Sequence, residues 1–326
     1  MIRNQWYAVL DSKELKKNKL LGVTRLGEKL VFWRDSNGDI GCIFDKCTHR
    51  GASLSKGRIL SNNKVQCPFH GFEYDTSGKV TKIPANGKDA PVPDRYRVNS
   101  YHAVDKFGLI WMFWGENREE YPPIPFFEDI DEKFKYDTFI DHWPVHYSRA
   151  IENQLDVVHL PFVHSNTIGR GCRTLIEGPI IKWTEKELQV WAYMREDDGS
   201  KPRKPEELPE PKNKALLHFR FGNIWQNRLG NAFRIFAAFV PIDEENTIIY
   251  LRLYQKVWLL PITGWIITRI ANRIGNKKIL RQDKRVVITQ LPKKSALKIK
   301  ENLIQGDSPI IEFRRRRKEM LEENNK

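Results

Sequence analysis

The sequence predicts an α+β protein built in two parts, a small antiparallel β domain followed by a larger antiparallel sheet carrying helices. Three observations predict it. Short alternating runs between Gly-rich turns fill residues 1–115. A Pro-rich segment, Tyr121-Pro122-Pro123-Ile124-Pro125, then interrupts them. Beyond it, longer alternating runs are flanked by stretches of helical period. The expected boundaries are 1–118 for the first domain, 119–135 for a linker and 136–326 for the second domain.

In the first part, Lys29–Trp33, Ile40–Phe44, Lys64–Gln66 and Leu109–Trp114 read as strands. Ser36-Asn37-Gly38, Asp75-Thr76-Ser77-Gly78 and Ala85-Asn86-Gly87 are turn signals. In the second, Pro144 to about Leu160 reads as a helix, with the proline tolerated in its first turn. The runs Ile180–Trp183, Leu188–Tyr193, Leu216–Phe221, Ala232–Val240 and Thr247–Tyr254 read as strands of one sheet. Arg195–Lys214, with four prolines and many charges, reads as a mobile surface loop. Helical period returns from about Trp265 to Leu291. The basic run Arg314–Lys318, followed by glutamates, reads as a solvated helix end.

The chain has 326 residues, enough for two domains, and an ordinary balance of apolar and charged residues that argues against disorder. Ten Trp, seventeen Phe and ten Tyr imply a large core or an aromatic-lined pocket. The net charge of +14 is spread along the chain, which argues against a nucleic-acid groove. The N-terminus lacks an apolar signal region, so a cytoplasmic protein is expected. The apolar run Val257–Ile270 is broken by Pro261, Gly264 and Arg269 and is too short to span a bilayer. Trp258–Ile270 is expected to be a buried or subunit-facing element rather than an interfacial membrane helix. Four cysteines in such a protein suit metal ligation better than disulfides.

The first chemical constellation is Cys47-Thr48-His49-Arg50-Gly51 and Cys67-Pro68-Phe69-His70-Gly71. Zinc knuckles pair cysteines with cysteines, whereas here each loop offers one thiolate and one imidazole. That donor set suits a two-iron cluster with both thiolates on one iron and both imidazoles on the other. Neutral imidazoles raise the potential to roughly −150 to +300 mV, which suits accepting electrons from a low-potential donor. The spacing C-x-H-x₁₇-C-x₂-H, with the run CPFHGFEYD, resembles the Rieske [2Fe–2S] pattern. Trp6-Tyr7, His49-Arg50-Gly51-Ala52 and Gly108-Leu109-Ile110-Trp111 are also similar to the Rieske domain of ring-hydroxylating oxygenases. Cys42 and Cys172 fall outside the pattern and read as buried small apolar residues.

The second constellation lies near residue 150. At about 100° per residue, Asn153, Asp156 and His159 fall on one helical face, with Glu152 a rival carboxylate; Pro161 then leads to His164. Two imidazoles beside apolar residues suit a metal site or satisfied core histidines equally well. A mononuclear Fe(II) site needs two His and one carboxylate. Asp283 is the best candidate, because a helical projection places it on a face with Ile279, Leu280, Val286, Val287 and Gln290. Lys278, Arg281, Gln282, Lys284 and Arg285 project elsewhere, and a buried carboxylate there needs a cation. Glu244 is the fallback.

D-x₂-H-x₄-H at Asp156–His159–His164, followed by Q-D-x₂-V-V around Asp283, resembles the iron site of Rieske oxygenases. The likeness is nearest to the vanillate demethylase and pheophorbide a oxygenase branch. It implies a Rieske domain joined to a helix-grip domain in a homotrimer, with His159, His164 and Asp283 as Fe(II) ligands and Asp156 and Asn153 as catalytic residues. It also implies that Asp156 links His159 to the cluster ligand His70 of a neighbouring subunit. The expected activity is O₂-dependent oxidation of an apolar, cyclic small molecule, monooxygenation before dioxygenation. No G-x-G-x-x-G follows a strand, so electrons must come from a ferredoxin or flavin reductase. Residues 1–115, with 19 basic and 11 acidic residues, suit an acidic donor. The alternatives are an electron-transfer protein with a non-catalytic second domain, and a lipid- or sterol-binding module.

Overall fold

Strand-forming runs separated by tight turns give the first part three small antiparallel sheets. The structure is a computed structural model and describes residues 1–60, 62–256, 269, 270 and 272–323. Strands β1 (Gln5–Asp11), β2 (Leu20–Arg25), β3 (Glu28–Arg34), β4 (Ile40–Phe44) and β5 (Arg58–Ile59) come first. They are followed by β6 (Val65–Gln66), β7 (Glu73–Tyr74), β8 (Val80–Lys82), β9 (Ala103–Lys106) and β10 (Leu109–Trp114). The sheet orders are β1-β10-β9, β2-β3-β4 and β5-β6-β7-β8. Two hairpins turn through residue pairs with positive φ, Leu26-Gly27 and Phe107-Gly108. That geometry matches the twist of the flanking strands, but a non-Gly first residue hides it from sequence. Val31, Trp33, Ile43, Leu54, Val65, Phe72 and Val80 form a core that includes the side chains of Cys47 and Cys67. Tyr121 stacks on His102 at 4.1 Å. The chain divides into two units between Ile124 and Pro125.

The second unit begins with Phe126 and Phe127, both buried. Its sheet has seven strands: β11 (Lys135–Trp143), β12 (Leu175–Trp183), β13 (Leu188–Arg195), β14 (Leu217–Arg220), β15 (Ile224–Leu229), β16 (Phe233–Pro241) and β17 (Thr247–Gln255). They run in the order β11-β17-β16-β15-β14-β13-β12 and all pair antiparallel. Helices α1 (Tyr147–Leu155), α2 (Leu160–Val163), α3 (Lys277–Val287) and α4 (Ser308–Glu323) complete the unit. α1 packs on β16 and also meets α3 and α4.

Several expectations need correction. The helix foreseen up to Leu160 ends at Leu155, and Asp156 takes extended angles (φ −75°, ψ 123°). Its carboxylate accepts the backbone N–H of Val158 at 2.7 Å, a local bond that competes with the helix. Asn153, Asp156 and His159 therefore do not share one helical face. The loop after β13 is tied down rather than free. Arg195 Nε and Arg203 Nε donate to buried Glu177 at 2.9 and 3.0 Å. In the basic run, Arg315, Arg316 and Lys318 are solvated, but Arg314 and Arg317 are buried. Cys172 is exposed, whereas Cys42 is buried against Met112 Sδ at 3.7 Å. Of the helix expected from Trp265, Arg269 and Ile270 are described and helical, and Asn272–Asn276 form a π-turn leading into α3. The run Trp258–Ile270 lies, apart from Arg269 and Ile270, outside the described residues. Among the described residues no helix is long and apolar enough to cross a membrane.

Candidate metal centres

The two Cys/His loops of the first unit share one backbone pattern. Cys47 N–H donates to Ala52 O at 2.8 Å, and Gly51 N–H returns to Cys47 O at 2.9 Å. Cys67 N–H donates to Phe72 O at 2.8 Å, and Gly71 N–H returns to Cys67 O at 3.2 Å. Each closing residue has φ near +74°, which glycine adopts without strain. Cys47 and Cys67 are buried while His49 and His70 are exposed. The imidazole rings lie 4.6 Å apart by centroid, and Phe72 stacks flat on His49 at 5.0 Å. Tyr74 donates its O–H to Cys47 Sγ at 3.1 Å and accepts the N–H of Thr48 at 3.0 Å. Burial, with the bond to Cys47 adding to it, raises the Tyr74 phenol and so keeps it a donor. Burial also pushes the Cys67 thiol up, as holds for a thiol without a bound cation. Paired buried thiols beside paired outward imidazoles fit a two-iron cluster.

The second centre joins two distant stretches of chain. The break at Asp156 and the short α2 place His159 and His164 at its two ends, and α3 brings Asp283 between them. His164 Nε2 lies 2.9 Å and His159 Nε2 3.4 Å from Asp283 Oδ1. Among the described residues, this trio is the group that gathers three metal-ligating atoms within 4.8 Å. Asp283 is 2% exposed, yet its Oδ1 receives no hydrogen bond. A buried, unbonded carboxylate oxygen between two imidazole nitrogens fits a cation. Burial alone would raise the Asp283 carboxyl, but the neighbouring imidazoles of His159 and His164 hold it below its ordinary value. Burial would lower His159; Asp156 and Asp283 outweigh it and raise this imidazole to about 9.

The imidazoles have distinct supports. His159 Nδ1 lies 3.5 Å from Asp156 Oδ2. His164 Nδ1 lies 3.0 Å from Gln282 Oε1, which also accepts the hydroxyl of Thr167 at 2.9 Å. Gln282 Nε2 donates in turn to Asn166 Oδ1 at 2.7 Å. The chain holds Gln282 by both ends of its amide, and this leaves His164 Nε2 free to face a metal. A helical projection directed Gln282 away from the site, because it followed the face of Asp283 and not that of the histidine. Its place directly before Asp283 was the available signal. Glu152 is no rival ligand. It is buried, accepting from Arg314 Nε at 2.8 Å and Arg149 Nη1 at 3.1 Å. Glu244 is exposed and paired with Lys294.

Beside the trio lies a cavity of about 270 Å³. The sheet face gives Leu217, Trp225, Ile235 and Leu251, the helices give Leu160 and Leu280, and Asn153 stands near Asp156 and His159 in its wall.

This fold and these two donor sets define a chain of Rieske type, a two-iron cluster domain followed by a helix-and-sheet domain whose His/His/Asp trio fits a second metal. Residues 5–102 match the Rieske [2Fe-2S] domain family, and residues 143–323 match the vanillate O-demethylase oxygenase C-terminal domain. The second match covers more than half of the chain, so the chain belongs to the vanillate O-demethylase oxygenase family. The chain is 26% identical to the methylxanthine N3-demethylase NdmB of Pseudomonas putida, over 98% of this chain and 89% of that protein. It is 35% identical to the chloroplastic chlorophyllide a oxygenase of Chlamydomonas reinhardtii, over 52% of this chain. The match spans 26% of the length of that relative, and 37% of the chloroplastic TIC 55 protein of Arabidopsis thaliana. The crystal structure of dicamba monooxygenase bound to dicamba superposes with a TM-score of 0.76 at 19% identity, covering 99% of this chain and 98% of that one. At that identity the likeness speaks for the fold.

Proposed function

We propose that the chain is the terminal oxygenase of a multicomponent system. It monooxygenates, by hydroxylation or demethylation, an apolar cyclic small molecule. The balance is substrate, O₂, two electrons and two protons giving oxygenated substrate and water. The observation that carries this is the buried Asp283 Oδ1, unbonded between His159 and His164 at the wall of an apolar cavity. Cys47, His49, Cys67 and His70 would hold a [2Fe–2S] cluster, and His159, His164 and Asp283 a mononuclear Fe(II). When bound, these groups supply one-electron storage and open coordination positions for O₂.

The chain's own residues do the rest. Leu217, Ile235 and Leu251 exclude water and hold the substrate beside the trio. Gln282 keeps the proton on His164 Nδ1, and Asp156 Oδ2, 3.5 Å from His159 Nδ1, is the carboxylate placed to orient that ring. Asn153 lines the same wall as a polar contact. A separate ferredoxin or flavin reductase delivers the electrons to a homotrimer in the cytoplasm, with Asp156 beside His70 of the neighbouring subunit.

Oxygen uptake tests the reading. With a reductase and a demethylatable aromatic ether, wild type is expected to consume O₂ only when both are present, and the Asp283→Ala variant none. Uptake by Asp283→Ala equal to wild type overturns it. Reversible cluster reduction with no uptake under any condition favours the electron-transfer alternative.

A further inference from the structure

Strand β15 alternates its side chains, so Trp225 and Asn227 face the cavity while Gln226 and Arg228 turn to the opposite side and meet Asp129. Trp225 is 3% exposed, and its indole N–H has no hydrogen-bond partner among the described residues. The amides of Asn227, through Oδ1, and of Asn153, through Nδ2 on α1, also present buried atoms without partners. Three unsatisfied polar atoms thus line one chamber whose remaining wall is apolar apart from Gln154, Asn276 and the residues of the metal centre. A buried donor without a partner is costly, and such groups point to a missing ligand. An indole nitrogen can only donate, so the missing group must accept.

The charge of the ligand follows from the same wall. Among the described lining residues the ionisable groups are Asp156, His159, His164 and Asp283, all belonging to the metal centre; there is no Lys or Arg. A carboxylate entering here would lose its water with no lysine or arginine among the described lining residues to meet it. The volume of about 270 Å³ lies just under the range of roughly 300–1,000 Å³ usual for ligand pockets, so the ligand is small.

We propose that the substrate is an uncharged molecule of one or two fused rings carrying a carbonyl-type acceptor, bound by Trp225 Nε1–H with the Asn227 amide beside it. This rests on the oxygenase reading of the cavity and names its substrate class. The indole anchors the polar edge of the ring system on the sheet, and the apolar remainder fills the space toward His159, His164 and Asp283. The two asparagine amides accept or donate according to the ring edge presented.

Anaerobic calorimetric titration of the iron-loaded protein tests this with three probes of similar size. They are 1-methylquinolin-2-one (neutral, carbonyl), 1-methylnaphthalene (neutral, no acceptor) and 1-naphthoate (anionic). The quinolone is expected to bind about tenfold or more tighter than the hydrocarbon, with the naphthoate weakest. Trp225→Phe keeps the ring and removes the N–H. It should lower quinolone affinity by about tenfold and leave that of 1-methylnaphthalene unchanged. Wild-type selectivity stands as a test even if that variant fails to fold. Naphthoate binding tightest, equal binding of quinolone and hydrocarbon, or no binding of any probe overturns the proposal. Selective binding without substrate-dependent oxygen uptake would instead fault the oxygenase reading.

Discussion

The two candidate centres are built in opposite ways. In the first unit the donors sit on two look-alike loops, each closed by a glycine at positive φ, with the thiols buried and the imidazoles outward. Each loop carries its own backbone bonds, so four residues within 24 positions define the site. In the second unit the donors come from two helical segments more than a hundred residues apart, and Asp283 is 2% exposed. That centre exists only if α1, α3 and α4 pack correctly. The difference teaches that the loop site should respond to loss of a ligand, and the helical site also to damage well away from it.

The largest expected effect lies at the loops. Cys47→Ser should abolish the two-iron cluster, since a hydroxyl is a poor substitute for a thiolate. Cys42→Ser, against Met112 and outside the loops, should keep it. Sulfide content and the visible spectrum of both variants decide; loss in the Cys42 variant would break the assignment. The next effect lies in the helices. Glu152→Ala leaves the buried Arg314 and Arg149 without this carboxylate, and should cost about 3–5 kcal/mol in urea unfolding. It should also reduce occupancy of the second centre while the cluster stays intact. Equal loss from both centres would erase the contrast.

Gln282→Leu touches no metal yet frees His164 Nδ1, so Fe(II) affinity should fall about 10–100-fold in equilibrium dialysis. Unchanged affinity would show that α2 alone orients the ring. The smallest effect is at the start of α1, where His146 is 1% exposed. Burial, with Arg317 adding to it, lowers its pKa to about 3. The unfolded imidazole, near 6.5, binds protons that the folded one refuses. Stability from this residue is therefore full above pH 6.5 and falls as pH drops from 6.5 toward 3, by up to about 1.4 kcal/mol per pH unit. In His146→Gln that part of the slope should vanish from thermal melts of the metal-free protein.

The same contrast governs how much could be read from sequence. Ile40–Phe44 and Leu109–Trp114 are strands with the expected ends, because turns bound clear apolar runs. The ligand loops were legible because their donors are local. β11 and β15 escaped notice. β11 is an edge strand of mixed polarity, and β15 carries Gln226, Asn227 and Arg228 in a row. Asp283 was legible as a charge on an apolar face. Gln282, Arg314 and the unbonded Trp225 were not, because each acts through a partner that only tertiary packing supplies. The helix break at Asp156 was hidden for a similar reason, since its own carboxylate captures the backbone that would have continued the helix.

The most direct measurement of the central claim is iron and sulfide per chain in Asp283→Ala beside wild type. The variant is expected to lose one iron and all oxygenation while it keeps the two-iron cluster with its sulfide and colour. A variant that retains the third iron and turns over normally would contradict the assignment of Asp283 and place the carboxylate ligand elsewhere.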